Sequence, residues 1–231
     1  MKKKRLLIIP AKGFSKRVKN KNIKKFFSKP IIYYSLKTAL DSKLFDKIHV
    51  STESQRVKKL VEKNGFVIDF MRKKKLTGKN IPIIDVLKFV LKKYKSLGYN
   101  YDEVWMLSAC APLINKNDLI KSAKKVKKNK ILISVTKYGA PIEWVFSMNK
   151  LNELTPFFVN KLNENSQNFK TQYHDSGSFA VFPSNIIDSK KINQKNIYLG
   201  YELPRHRAVD IDNIDDWELT KKLYRLKKYI K

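Results

Sequence analysis

Apolar residues in this chain come in short runs separated by lysine-rich stretches with helical spacing. RLLIIP at 5–10 shows no polar alternation, the pattern of a parallel strand buried on both faces. After a polar loop, Ile32, Leu36, Ala39 and Leu40 share a helical face, which predicts a helix over 31–40. KIHVS at 47–51 reads as the next strand. Ser54 is placed to cap a helix carrying Val57, Leu60 and Val61, with Gly65 closing it. Residues 67–70 read as a third strand. Ile83, Leu87, Val90, Leu91 and Tyr94 form the buried stripe of a longer helix ending near Gly98. EVWML at 103–107 and ILISVT at 131–136 read as further strands, with a helix beginning near Asn117 between them.

Strand and helix alternate as far as about Thr136. Crossovers of that kind build an α/β fold with a doubly wound, mostly parallel sheet, here a single domain over 1–231. The rhythm breaks between 137 and 173, an Asn-rich stretch that reads as an insertion. Sheet character returns at 178–183 (SFAVFP), and Leu219, Leu223, Leu226 and Ile230 predict a terminal helix facing the core.

Composition narrows the class. Hydrophobic residues at 42% and aromatics at 12% of 231 residues supply a real core and argue against disorder. No run approaches the ~20 apolar residues of a membrane span, so no membrane insertion is expected. The basic start leads into too few apolar residues for a signal peptide. A single cysteine, Cys110, excludes an internal disulfide and a cysteine zinc cluster, and a cytoplasmic location is expected. The 50 Lys+Arg against 20 Asp+Glu give a net charge of +30. Lysine is spread along helices, no nucleic-acid-binding signature appears, and nucleic acid is not the expected partner. A field of this sign does draw in polyanions such as a nucleoside triphosphate.

In an open parallel sheet the ligand lies beyond the carboxyl ends of the strands. The loop after the first strand, AKGFSKRVKNKNIKKF, places Lys12, Lys16, Arg17, Lys19 and Lys21 around Gly13 and Ser15. It is neither a Walker loop nor a GxGxxG turn. Late in the chain VDID sets Asp210 and Asp212 two apart, so on a strand both carboxylates project from one face. Such a pair suits Mg2+ shared with phosphates, or alternatively belongs to a turn and helix cap. Capping is assigned to Asp215 or Asp216. In YHDSGSF (173–179), His174 and Asp175 are sequence neighbours and face opposite ways on a strand, which argues against a catalytic dyad. Gly177 there suggests a close backbone approach to a ligand. In SACAPL (108–113), Cys110 reads as a packing residue rather than a nucleophile.

In this order and spacing, IPAKGFSKRVKNKNI, KPIIYYSL, LFDKIHVSTES, KNGFVIDFMR and VDIDNIDDWELTKKLY resemble the acylneuraminate cytidylyltransferases over nearly the whole chain. YHDSGSF, SACAPL and ELPRHRAVDID look most like the pseudaminic acid branch. The resemblance implies a Rossmann-like nucleotide-diphospho-sugar transferase fold. It also implies transfer of CMP from CTP to the anomeric C2 hydroxyl of an acidic nine-carbon sugar, with loss of pyrophosphate. On that basis Lys12, Gly13, Ser15, Lys16 and Lys21 hold the triphosphate, with Lys21, Lys16 and Asp212 the catalytic group. Asn22, Ala109, Cys110 and Ala111 line the cytidine pocket. Gln167, Tyr173, His174, Asp175 and Ser178 meet the sugar, and Asp210 and Asp212 hold Mg2+.

The same resemblance implies a homodimer with contacts from 137–173. Legionaminic or N-acetylneuraminic acid as the acceptor, and a non-catalytic nucleic-acid-binding protein on the same fold, are the alternatives. The chain departs from the family pattern at four places: Lys12 for Arg, Phe14 for Gly, Glu53 for Asp, and Asn165 for Arg. Phe14 is expected to clash if its position needs a positive φ or bare backbone.

Overall fold

The structure, a computed structural model, describes residues 3–15, 17–78, 80–188 and 198–227. The chain runs β1 (Arg5–Pro10), β2 (Lys25–Phe26), β3 (Lys29–Pro30), α1 (Ile31–Ser42), β4 (Lys47–Ser51), α2 (Gln55–Lys63) and α3 (Ile83–Ser96). It continues through β5 (Glu103–Leu107), α4 (Lys116–Lys125), β6 (Ile131–Lys137), β7 (Phe146–Met148), β8 (Leu154–Pro156) and β9 (Tyr173–Pro183). It ends in α5 (Ser184–Asp188), β10 (Tyr198–Glu202) and α6 (Ile214–Leu226). A six-stranded sheet in the order β10-β6-β9-β5-β1-β4 forms the centre. All pairings are parallel except those of β9, which is antiparallel to both β5 and β6.

Burial follows the strand period. Leu7 and Ile9 of β1 enter a large core with Trp105, Leu132, Phe179 and Val181 of the sheet and Leu36, Val57 and Leu119 of α1, α2 and α4. Leu6 and Ile8 face the other way, against Leu87, Val90, Leu91 and Tyr94 of α3. Helices on both faces explain why the β1 run has no polar alternation. A third cluster joins Val18, Phe26, Ile31, Cys110, Ile211 and Trp217.

Three expectations are corrected. Residues 67–70 form no strand: Ile68 is buried and Phe70 packs on the α3 side, but Asp69 turns to Lys47 and Tyr94 instead of joining a ladder. Helix α3 does not bury Ile83, which is 41% exposed and borders a cavity. Helix α6 is rotated from its expected face. It buries Trp217 and Thr220, while Leu219 and Leu226 are each 47% exposed and Ile230 lies outside the described residues. Phe26 decides that rotation, meeting Trp217 at 5.5 Å and Tyr224 at 5.4 Å, both edge-on.

No residue from Lys137 through Asp175 is buried. Hairpin β7–β8 lies within this stretch as a separate two-stranded sheet. Among the described residues, no helix is long and apolar enough to cross a membrane.

Candidate active site

The basic loop leaves β1 at Pro10 and is folded by its own side chains. Asn22 donates from Nδ2 to the Lys12 carbonyl at 2.9 Å, and Gly13 N donates to Glu53 Oε1 at 2.8 Å. Asn20 takes the left-handed conformation (φ 55°) that Asn tolerates, and a 3-10 turn at Lys21–Ile23 follows. Phe14 is not among the residues of positive φ, so no backbone strain arises there; its ring is 65% exposed and borders the larger of two adjoining cavities.

Two adjoining cavities lie at this end of the sheet. The smaller, about 390 Å³, is bordered by Pro10, Asn22, Arg72, Ser108, Ala109 and Cys110, with Ile83 and Val86 of α3. The larger, about 670 Å³, is bordered by Arg17, Glu53, Thr77 and Asp212. Lys12, Ser15 and Lys21 border both. A carboxyl-end pocket with an apolar wall and several cations is chemically suited to a nucleotide.

The late carboxylates meet the early cations here. Arg17 Nη2 lies 2.7 Å from Asp212 Oδ1, and Lys21 Nζ lies 3.9 Å from the same oxygen. Lys21 also donates to the Ile211 carbonyl. The VDID segment belongs to no ladder, yet it keeps a strand-like alternation: Ile211 is fully buried and the flanking carboxylates stay accessible. Partial burial and then the charge of Asp212 push the Asp210 carboxyl above its ordinary range, opposed by Lys21 and Arg17. Gly177 takes φ +64°, and a Cβ there would lie 3.1 Å from Asp210 Oδ2. That position therefore needs glycine twice, for conformation and for space.

The cap of α6 is Asn213, not Asp215 or Asp216. Asn213 accepts from Asp216 N at 2.9 Å, while Asp216 Oδ2 accepts from the backbone of Asp212 (2.8 Å) and Asn213 (3.0 Å). Asp216 thus serves as the third residue of a capping box and anchors the metal-candidate segment. Leaving Asp210 and Asp212 outside the cap keeps both carboxylates available to a cation. No group of three or more His, Cys, Asp or Glu side chains among the described residues is arranged for a metal. A two-carboxylate set matches a hard ion that takes its remaining ligands from phosphate and water.

The other candidates divide. Lys16 lies outside the described residues. Lys12 donates to the Gly78 carbonyl at 3.1 Å, tying the loop to the segment before α3. Cys110 donates to Asn22 Oδ1 at 3.3 Å, and burial pushes its thiol up to about 12, offset in part by Lys21, as befits a packing residue. Ala109 borders the smaller cavity; the Ala111 N–H is instead directed to Ser35 Oγ at 3.4 Å.

The five sugar candidates border neither cavity. Gln167 sits on an exposed 3-10 turn. Tyr173 donates to Glu202 at 3.2 Å, and the His174 ring lies 4.9 Å from that of Tyr138. Asp175 accepts from Gly177 N at 2.8 Å. Ser178 is buried, and its carbonyl accepts from Ser108 N at 2.8 Å, binding β9 to the wall of the smaller cavity.

One charged cavity residue is not singled out from the sequence. Arg72 is buried 60 positions from Lys12 in sequence, yet borders the same cavity. Its only sequence signal is its place in KNGFVIDFMR.

Residues 6–225 match the cytidylyltransferase family profile. The chain belongs to the cytidylyltransferase family. This cytidylyltransferase is 34% identical over 225 residues to the pseudaminic acid cytidylyltransferase of Campylobacter jejuni, covering 96% of this chain and 97% of the relative. It is 26% identical to the CMP-N,N'-diacetyllegionaminic acid synthase of Legionella pneumophila, covering 96% of each. Among solved structures, a CMP:2-keto-3-deoxy-manno-octonic acid synthetase complexed with CTP superposes with a TM-score of 0.71 at 15% identity, over 97% of this chain and 99% of the other. The 4-diphosphocytidyl-2C-methyl-D-erythritol synthase of Anaerococcus prevotii gives 0.59 at 14% identity, over 97% and 100%. Both share the fold of this cytidylyltransferase, with a mostly parallel central sheet.

Proposed function

We propose that this cytidylyltransferase joins CMP from CTP to the anomeric hydroxyl of a nonulosonic acid, pseudaminic acid first, and releases pyrophosphate. The names of its relatives supply the substrate class. The observation that carries the reading is the convergence of Lys21, Arg17 and Asp212 at the larger cavity, with Lys21 bordering the smaller one as well. The smaller cavity, walled by Ala109 and Cys110, takes the cytidine. The larger takes the triphosphate tail, where Lys21, Ser15 and Lys12 meet phosphate oxygens; a part for Lys16 rests on the sequence resemblance alone. The sugar hydroxyl oxygen attacks the α-phosphorus, the bond to the β-phosphate bridging oxygen breaks, and the chain's work is alignment and charge neutralisation.

Asp210 and Asp212 would hold Mg2+, which when bound offsets the negative charge of the phosphates. Burial and Asp212 raise the Asp210 carboxyl, and the positive charge of such an ion would oppose that shift. Gln167, Tyr173, His174, Asp175 and Ser178 remain the proposed sugar contacts. A triphosphate donor and a lone thiol suit a cytoplasmic setting.

The stretch 137–173 exposes Phe146, Met148, Leu151, Leu154, Phe157 and Val159. Burying that surface against a second copy gives the proposed homodimer.

The test is pyrophosphate release from CTP in the presence of Mg2+ and single acidic nine-carbon sugars. Release with pseudaminic acid, and none without a sugar, supports the reading. Faster turnover with legionaminic or N-acetylneuraminic acid would reassign the acceptor. Salt-sensitive nucleic-acid binding with no release would contradict the reaction.

A further inference from the structure

Glu53, just past β4, stands between the two cavities. Its carboxylate accepts from two distant parts of the chain at once: Gly13 N to Oε1 at 2.8 Å and Arg72 Nη2 to Oε2 at 2.6 Å. Arg72 N in turn donates to the Thr52 carbonyl at 2.8 Å. One carboxylate therefore ties together the loop after β1, the end of β4 and the segment before α3. The contact with the loop is tight. A Cβ on Gly13 would lie 2.4 Å from Ser54 Cβ, so only glycine lets the backbone N–H reach Glu53.

The two ends of this link face different cavities. Glu53 borders the larger one and Arg72 the smaller. The Arg72 side chain is 1% exposed, and its Nε is buried with no hydrogen-bond partner among the described residues. A buried guanidinium held by one carboxylate and bordering a cavity is placed to meet a ligand acceptor there. Burial alone would push the Glu53 carboxyl up; the hydrogen bonds from Arg72 and Gly13, with the Arg72 charge, hold it below its ordinary range. Its negative charge is thus spent within the protein rather than presented to a polyphosphate.

We propose that Glu53 is a positioning residue for the nucleotide: through Arg72 and the Gly13 N–H it fixes the two cavities in register so that one ligand spans both. This rests on the nucleotide reading given above. Glu53 does not touch the transferred group. Its role is to aim Arg72 at the nucleoside and to hold the triphosphate loop against β4.

Steady-state kinetics with CTP, Mg2+ and the accepted sugar test this, together with calorimetric CTP binding and a thermal midpoint for each variant. Glu53→Gln keeps an acceptor for Gly13 and removes the charge that holds Arg72. It is expected to raise KM and Kd for CTP about tenfold, the loss of one charge-assisted bond, with the sugar KM unchanged. Arg72→Met should do the same, and the double variant should be no worse than the worse single one. Should Glu53→Gln fail to fold, Glu53→Asp keeps the charge and is expected to lose less CTP affinity than Arg72→Met; an equal or larger loss would overturn the proposal.

Unchanged CTP affinity in folded variants would overturn the proposal. So would additive effects of the two sites, or an equal rise in both KM values tracking a lowered midpoint. If the unmodified protein turns over no acidic sugar, the proposed reaction fails, while the calorimetric comparison still decides the role of Glu53.

Discussion

Cys110 shows how much of the site is decided one side chain at a time. Its thiol packs under the loop, bonds Asn22, and is pushed up to about 12 by burial. At pH 8 it is therefore neutral and closed to solvent. Alkylation by iodoacetamide should be negligible in the native protein and complete after denaturation, and Cys110→Ser should keep most of the transfer rate. Gly177 sets the opposite case. Gly177→Ala combines strain at φ +64° with a contact to Asp210, and should lower both stability, by about 1–3 kcal/mol in chemical unfolding, and activity.

The basic loop and the two aspartates could be read from the chain because charge and spacing are local properties. Arg72 could not. It sits in a run of basic residues, and only burial against Glu53 separates it from its exposed neighbours.

Among the elements, those whose signal is local stand where the pattern put them: β4 and β5 keep their expected limits, and Ser54 accepts from Val57 N as a helix cap. The misses came from tertiary packing. A leucine stripe predicted the face of α6, but Phe26 on the β2–β3 hairpin holds Trp217 and Tyr224 instead. The run 67–70 has a strand's composition without its ladder, and the antiparallel direction of β9 depends on a long excursion that no period reveals. That rotation of α6 matters for chemistry. Trp217 shares its cluster with Val18 of the basic loop and with Ile211, which separates the two carboxylates. Trp217→Ala should cost about 3–5 kcal/mol of stability. Among molecules that remain folded at low temperature, it should weaken CTP-dependent transfer by loosening Asp210 and Asp212 together.

At the scale of the whole molecule, a buried network of His49, Asp69 and Tyr94 makes stability depend on pH. Tyr94 donates to Asp69, so its 3.1 Å contact with His49 Nδ1 requires the proton on that nitrogen, leaving His49 Nε2 buried with no hydrogen-bond partner among the described residues. Burial lowers the His49 pKa from 6.5 to about 4, with Asp69 opposing and Lys47 adding to the shift. Between those values the unfolded chain binds the extra proton and the folded chain does not. The contribution is intact above about pH 6.5 and is lost as pH falls through 4, on the order of 3 kcal/mol at most. Chemical unfolding at pH 7.5 and 5 should show the loss, and His49→Gln should reduce it. The exposed apolar face at 137–173 adds a second global expectation. Light scattering should give a dimer mass, and Leu154→Asp with Phe157→Asp should give a monomer.

All these scales meet where the opening loop faces the VDID segment, and the proposed transfer depends on that meeting. Its most direct test is the rate of CMP-sugar formation from CTP, Mg2+ and the accepted nonulosonic acid by Lys21→Met and Asp212→Asn, each checked for folding. Losses on the order of 10²-fold or more in each are predicted for groups that stabilise charge in the transition state. Near-normal rates in both folded variants would contradict the site.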